Sequence, residues 1–176
     1  ILHFLARIKK PTVVTYHSDI VRQQHLLKLY RPLMHRVRRS ADHIVAASPN
    51  YLETSKVLSC YRDKTSVIPY GLDKAAYPVP SSERLRQWQQ CFGSRFFLFV
   101  GVMRYYKGLH ILLEAVQGTA YPVVIVGAGP LELELRAQAQ AQGLHHVHFV
   151  GRLGEEDKVA LLTLCTAIVF TSDLRC

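Results

Sequence analysis

The chain has 176 residues, 49% of them hydrophobic, so it can bury a sizeable core. No apolar run approaches the roughly 20 residues that span a bilayer. The four cysteines lack the two-residue spacing of a zinc or redox motif, which favours a reducing, cytosolic setting. The net charge of +9 lies in one half, since residues 1–93 hold 15 Lys and Arg against 6 Asp and Glu, whereas residues 94–176 hold 7 of each.

The first half alternates strand and helix patterns. A β-branched strand, expected to be buried, is predicted over 12–16. An amphipathic helix follows, whose basic stripe runs from Arg22 to Arg39 and which Pro32 should kink. Strands over 43–46 and 65–68 flank a helix over 50–58, with Ser48 as its N-cap and Pro49 at its first position. Residues 74–93 lose the alternation and are predicted to form a linker with one short helix over 81–90.

The second half repeats the alternation. Its strands are predicted over 96–101, 123–127, 147–150 and 167–171, and its helices over 109–116, 131–142 and 155–164. Apolar strands separated by helices are typical of a parallel sheet covered on both faces. The predicted fold class is therefore α/β, with one parallel-sheet domain over 1–73 and a second over 94–176. Because the chain opens with Ile1 and stops directly after a predicted buried strand, we expect both domains to be incomplete.

Ligands of open parallel sheets bind at the carboxyl ends of the strands, so the loops there are the candidate sites. After the first strand of the second half, Gly101 and Gly108 enclose Arg104 and Lys107 just ahead of a helix. Cations at that place favour binding of a diphosphate. The alternative is that both cations are solvated loop charges.

A glycine turn follows the next strand and contains Gly127, Gly129 and Pro130. A dinucleotide fingerprint requires a third glycine where Glu132 stands, so NAD binding is disfavoured. The alternative is a tight turn that needs glycines for conformational reasons alone. The remaining candidates follow the third and fourth strands of this half: Arg152, Leu153 and Ser172.

In the first half, His17 and Asp19 follow the first predicted strand. A histidine there could hydrogen-bond a reacting group or polarise a leaving group. The alternative is a histidine that only satisfies loop carbonyls. The other histidines lack the spacing of metal ligands, so no metal site is predicted.

Six segments carry motifs in a particular order: 13–19, 46–49, 67–73, 99–108, 126–131 and 169–172. Taken together, they resemble glycosyltransferase family 4, the group 1 transferases of the GT-B fold. The resemblance covers essentially the whole chain, as the rear of an acceptor domain and most of a donor domain, both Rossmann-like. It implies a retaining transferase that moves a hexose, with mannose or a related sugar as the family-level choice, from a nucleotide-diphosphate sugar to a carbohydrate or lipid-linked acceptor. Surface-polysaccharide synthesis is the implied setting, with no cofactor and no required metal.

By matching position, the resemblance assigns the donor phosphates to Lys107, the nucleotide border to the turn 127–130 and a place beside the transferred sugar to His17. Preorganised cations would stabilise the charge that develops on the leaving diphosphate. Val102 stands where the family usually has an arginine, with Arg104 as its substitute, and Tyr70 stands where it has an asparagine. The family's glycine-rich N-terminal loop and its paired glutamates are absent, so this piece alone is expected to have little or no activity.

Three alternatives remain open. An epimerase or phosphorylase of the same fold would share the phosphate site. The basic stripe from Arg22 to Arg39 could hold the protein on anionic lipid at the inner face of the plasma membrane, although a core helix with a solvated cationic face explains it equally. Nucleic-acid binding is disfavoured, because the sequence contains no recognised nucleic-acid module.

Overall fold

The computed structural model describes residues 10–17 and 24–172, with the backbone alone for 24–30 and Lys74. The chain divides into two compact units between Leu72 and Asp73. Asp19, predicted as a site residue, lies outside the described residues.

A parallel three-stranded sheet forms the first unit. Its strands β1 (Val13–Tyr16), β2 (His43–Ala46) and β3 (Thr65–Val67) lie in the order β1-β2-β3. Strand β2 is buried because it has a neighbour on each side, and Ile44 and Ala46 anchor the core there. The prediction that the first strand is buried is wrong, since Val13 is 64% exposed. Among the described residues β1 pairs only with β2, which leaves it at an edge.

Two helices and a 3-10 segment accompany this sheet. Helix α1 (Gln24–Ser40) continues through Pro32, helix α2 spans Pro49–Thr54, and the 3-10 segment spans Leu58–Lys64. The predicted cap of α2 is confirmed, because the Ser48 hydroxyl accepts a hydrogen bond from the Tyr51 amide at 3.1 Å. The helix ends at Thr54, earlier than predicted. Lys64 Nζ donates to three carbonyls at the end of α1, those of residues 38, 39 and 41, which helix geometry leaves without partners.

The second unit contains a parallel four-stranded sheet. Strands β4 (Phe97–Val100), β5 (Val123–Val126), β6 (Val147–Gly151) and β7 (Ala167–Ile168) lie in the order β6-β5-β4-β7. The last strand is shorter than predicted and is not buried, since Ala167 and Ile168 are both exposed. Among the described residues β7 pairs only with β4, so its other edge is open.

Helices cover both faces of this sheet, as the apolar strands predicted. Helices α4 (Leu109–Ala115) and α5 (Glu132–Ala141) pack on the face that carries Phe99, Val123 and Ile125. Helices α3 (Ser82–Phe92) and α6 (Glu155–Leu164) pack on the face that carries Leu98, Val124 and Val126. Successive strand residues point to opposite faces, which explains why strands of this kind are apolar throughout. The predicted α/β class with parallel sheets is confirmed.

Helix α3 packs on the second unit, although the sequence placed it in a linker over 74–93. Its Trp88 and Phe92 pack against the core of that face. Trp88 Nε1 also donates to Asp157 Oδ1 at 2.9 Å, and Arg84 Nε lies 3.2 Å from the same oxygen. The later part of the predicted linker is therefore part of the second unit.

Candidate functional site

The loops that follow β4 and β5 are tied together at the carboxyl edge of the second sheet. The Gly101 amide donates to the Val126 carbonyl at 3.0 Å, and the Met103 amide donates to the Ala128 carbonyl at 3.1 Å. The Leu131 amide then donates back to the Met103 carbonyl at 3.3 Å. The two loops thus continue the pairing of their strands beyond the sheet, with Met103 fully buried between them.

The glycines of the second loop are required by this close approach. Gly127 has φ 128°, and a Cβ placed on it would lie 1.9 Å from the Gly101 carbonyl oxygen. A Cβ on Gly129 would lie 2.4 Å from the Met103 carbonyl oxygen. Steric need therefore accounts for both glycines without a ligand, as the alternative interpretation of this turn expected.

The loop after β4 is also fixed at its far end. A 3-10 turn, Tyr105–Lys107, separates Arg104 from the start of α4, a turn that the sequence pattern had not indicated. Gly108 has φ 62°, and a Cβ on it would lie 2.0 Å from the Thr171 carbonyl oxygen. The Thr171 hydroxyl donates to the Lys107 carbonyl at 2.8 Å. The backbone at Lys107 is therefore held against the segment that ends at the half-buried Ser172.

Two cations of this loop have no acidic partner within the described ranges. Arg104 is exposed, whereas Lys107 is half-buried with Nζ 5.5 Å from the Tyr106 ring centroid. The ion pairs of the described residues involve other cations, namely Arg84, Arg136 and Lys158. Two positive charges on a fixed loop at the carboxyl end of a strand can each contact a phosphate group, so this loop suits a diphosphate.

Glu132 beside the glycine turn has a partner that the sequence analysis missed. Its carboxylate accepts from Arg136 Nη2 at 2.9 Å and from Arg136 Nε at 3.1 Å. The four-residue spacing on one helix was the available signal. Because this pair neutralises the glutamate, its charge opposes a nearby anion less than the sequence suggested.

The loop after β6 approaches the glycine turn through the backbone. The Gly127 amide donates to the Gly151 carbonyl at 2.7 Å, across an irregularity in the β5–β6 pairing. Arg152 is exposed, and the Leu153 side chain packs against the core of the sheet. Part of the Leu153 side chain is therefore covered by the packing of the sheet, whereas the side chain of Arg152 is open to solvent.

In the first unit, the structure brings His17 to a residue noted only as a departure from the family pattern. The distance from His17 Nδ1 to the Tyr70 hydroxyl oxygen is 3.1 Å, and the two rings meet edge-on at 6.0 Å. Tyr70 follows β3, whereas His17 follows β1. Their separation of 53 positions along the chain explains why no local pattern indicated this contact.

The basic stripe on α1 is not uniform in the part that is described. Arg38 is only 6% exposed, and its Nη2 donates to the Tyr16 hydroxyl at 3.2 Å. Its guanidinium carbon also lies 4.8 Å from the Tyr16 ring centroid. Arg31, Arg36 and Arg39 are exposed. Arg38 therefore belongs to the packing of the unit, while the other three form a cationic surface.

The described residues contain neither a membrane-spanning helix nor a cluster of metal-ligating side chains. Their helices are all too short or too polar to cross a membrane. Their His, Cys, Asp and Glu side chains form no group of three that could hold a metal ion.

Comparison with sequence families decides the relationship. Residues 83–174 match the family described as "Glycosyl transferases group 1", and residues 1–76 match "Glycosyltransferase Family 4". The chain belongs to the group 1 glycosyl transferases. The order of the two matches follows the two units, and the predicted family is confirmed.

Two curated relatives align with nearly the whole chain. It is 67% identical over 175 residues to the D-rhamnosyltransferase WbpZ of Pseudomonas aeruginosa, covering 99% of this chain and 46% of the relative. It is 54% identical over 174 residues to the O-antigen chain mannosyltransferase C of Escherichia coli, covering 99% and 47%. The chain thus spans about half the length of the curated relatives it matches.

Solved structures share the fold. The Anabaena Alr3699/HepE structure in complex with UDP and glucose superposes with a TM-score of 0.73 at 24% identity, covering 97% of this chain and 48% of that one. The glycosyltransferase WaaG, involved in lipopolysaccharide biosynthesis, superposes with a TM-score of 0.59 at 16% identity, covering 97% and 55%. The predicted GT-B fold is confirmed by these likenesses.

Proposed function

We propose that this chain supplies parts of the acceptor and donor domains of a retaining glycosyltransferase. The enzyme transfers mannose or D-rhamnose from a nucleoside diphosphate to a carbohydrate or lipid-linked acceptor during surface-polysaccharide assembly. The names of the two curated relatives support this choice of sugar and setting. The complexes of Alr3699/HepE with UDP and with UDP-glucose support a nucleotide-sugar donor.

The observation that carries the proposal is the fixed loop with Arg104 and Lys107. Its backbone is hydrogen-bonded to the next loop at Met103 and to Thr171 at Lys107, so the cations start from a rigid main chain. When the glycosidic bond to the donor breaks, negative charge develops on the leaving diphosphate. Cations that are already in place stabilise that charge without reorganisation, which lowers the barrier. Lys107 is assigned to the phosphates, with Arg104 beside it.

The remaining donor contacts are assigned to the backbone. The turns at 127–130 and 151–154 are joined by the hydrogen bond between the Gly127 amide and the Gly151 carbonyl. We assign them to the border of the nucleotide, and Ser172 to the donor sugar. In the first unit His17 is assigned to hydrogen-bond the transferred sugar, where it would help the hexose adopt the reactive geometry.

The proposed reaction uses no organic cofactor and no metal ion. Arg104 and Lys107 would supply the positive charge that a divalent cation supplies in other phosphoryl and glycosyl transfers. EDTA should therefore leave the rate of transfer unchanged. A rate that falls with EDTA and returns with Mg²⁺ or Mn²⁺ would contradict this part of the proposal.

The exposed arginines of α1 support a peripheral association with anionic lipid, which suits a lipid-linked acceptor on the cytoplasmic face. Charge reversal at Arg36 and Arg39 should abolish co-sedimentation with phosphatidylglycerol vesicles, whereas the buried Arg38 is unsuitable for this test. Equal sedimentation of the variant and the original chain would remove the proposal.

A hybrid enzyme tests the proposed function. In it, the 175 aligned residues of the Pseudomonas relative are replaced by this chain, which restores the full length. The hybrid should form a new glycosidic bond when given a nucleotide-linked rhamnose or mannose and a glycan primer. A changed free sugar nucleotide would instead identify an epimerase, and a sugar phosphate would identify a phosphorylase. Lys107→Ala should lower transfer by roughly ten- to a hundredfold, the loss expected for a charge-assisted hydrogen bond.

A further inference from the structure

Two side chains of the first unit contact each other above the end of the central strand. His17 directly follows β1, and Tyr70 lies in the short segment after β3. Because β1 and β3 lie on opposite sides of β2, their ends are about 10 Å apart, twice the usual spacing of strands. The 3.1 Å distance from His17 Nδ1 to the Tyr70 hydroxyl oxygen closes that gap. The pair therefore joins the two strand ends that carry the proposed acceptor-domain motifs.

The contact is polar rather than a matter of apolar packing. Tyr70 is 66% exposed and His17 is also exposed, so burial contributes little to holding either ring. The rings meet edge-on, with an interplanar angle of 65°. The hydroxyl of Tyr70 is thus the group that distinguishes this residue from a phenylalanine at the same place.

The chemistry of the two groups assigns the direction of the hydrogen bond. A neutral imidazole has one N–H donor and one acceptor nitrogen, and a hydrogen bond at one nitrogen decides which tautomer is present. A phenol donates more readily than it accepts, while an imidazole nitrogen is the stronger base. This difference favours donation from the Tyr70 hydroxyl to Nδ1, an arrangement in which the proton of neutral His17 is on Nε2.

We propose that Tyr70 is a positioning residue for His17. Its hydroxyl holds the imidazole in one orientation and in the Nε2–H tautomer, so that Nε2–H is presented as the donor to an oxygen of the transferred sugar. The inference rests on the role of His17 in the proposed function. It adds that Tyr70 acts on the reaction only through the imidazole.

Nuclear magnetic resonance of this chain tests the contact without any activity. The ¹⁵N shifts of the His17 ring, measured on the neutral imidazole, report the ratio of its two tautomers. Tyr70→Phe should lower the ratio of Nε2–H to Nδ1–H by roughly two- to fivefold, as expected for the loss of one exposed hydrogen bond. Tyr121→Phe removes a hydroxyl from another exposed tyrosine, in the second unit, and should leave the ratio unchanged.

A double-mutant cycle in the hybrid enzyme tests the function. Tyr70→Phe should lower kcat by a similar two- to fivefold factor and leave KM for the donor unchanged. In a His17→Ala background the same substitution should have no further effect, because its route to the reaction has been removed. Tyr121→Phe serves as the control for both backgrounds.

The outcomes separate the two claims. An unchanged tautomer ratio in Tyr70→Phe overturns the positioning role, as does a rate loss that persists in the His17→Ala background. Full activity of His17→Ala overturns the assignment of His17 in the proposed function, and the positioning role falls with it. The Lys107→Ala result is independent of both substitutions, so the donor-site claim stands or falls separately.

Discussion

A Cβ atom placed on Gly127 would lie 1.9 Å from the carbonyl oxygen of Gly101. This relationship fixes how closely the loops after β4 and β5 can approach, and the loop with Arg104 and Lys107 begins at Gly101. The steric demand of one glycine therefore determines the backbone on which the proposed phosphate contacts depend.

Three glycine substitutions should separate the causes of this demand. Gly127→Ala combines a positive φ with the overlap and should lower the free energy of unfolding by about 3 kcal/mol or more. Gly129→Ala has the overlap without a positive φ and should cost about 1–3 kcal/mol. Gly118 has φ 71° but no atom near the position of a Cβ, so Gly118→Ala should lower the free energy of unfolding by about 1 kcal/mol. Chemical denaturation of the three variants measures the order, and a Gly118 effect as large as that of Gly127 would show that the overlap is relieved cheaply.

The hydrogen bond between Trp88 and Asp157 should attach α3 to α6. Asp157→Ala leaves the indole N–H half-buried without its acceptor, which should cost about 1–2 kcal/mol and shift the emission of the single tryptophan to longer wavelength. Asp157→Asn keeps an acceptor oxygen and should retain most of the stability, since the partly exposed pair with Arg84 contributes little. Glu155→Ala, on the same helix turn, is the matched control. An unchanged emission in Asp157→Ala would mean that apolar packing alone holds α3.

The stability of the second unit should fall in mild acid because of His148. Burial, followed by the nearby His146, lowers the pKa of this side chain below its usual value of 6.5. As the pH falls below 6.5, the unfolded chain therefore binds more protons than the folded chain. The contribution of neutral His148 to the free energy of unfolding is complete above pH 6.5 and decreases as the pH falls towards the lower pKa of the folded state. His148→Gln should reduce this loss, whereas His145→Gln, at an exposed position, should not. Thermal unfolding followed by the emission of Trp88, which lies in the second unit, measures this loss of Tm between pH 7.5 and 5.5. If His148→Gln loses as much stability as the original chain, His148 is not its cause.

Local signals predicted much of the fold, whereas long-range contacts escaped them. The Ser48 cap of α2 depends only on residues a few positions apart, and it is present. The contacts from His17 to Tyr70 and from Trp88 to Asp157 join residues 53 and 69 positions apart, which no period of a helix or strand encodes. The predictions that β1 and β7 are buried failed for the same reason, because which strands pair with a given strand depends on residues far away in the sequence.

The site shows the same division. The positions of Arg104 and Lys107 after a strand follow from the alternation of elements, so their place at the sheet edge could be predicted. The ion pair between Glu132 and Arg136 could have been predicted from their four-residue spacing on one helix. It was missed because Glu132 was considered only as a departure from the glycine fingerprint. The hydrogen bond from the Thr171 hydroxyl to the Lys107 carbonyl joins residues 64 positions apart, and no local pattern encodes such a contact.

Nucleotide-dependent stabilisation of the hybrid enzyme tests the central claim most directly. One nucleoside diphosphate among UDP, GDP and ADP should raise Tm, and Lys107→Ala should raise the concentration needed for the same shift by roughly ten- to a hundredfold. Lys158→Ala removes the same charge from α6 of the same unit and should leave the shift intact. If no diphosphate stabilises the hybrid, or if both lysine variants respond alike, the loop from Gly101 to Gly108 is not the phosphate site.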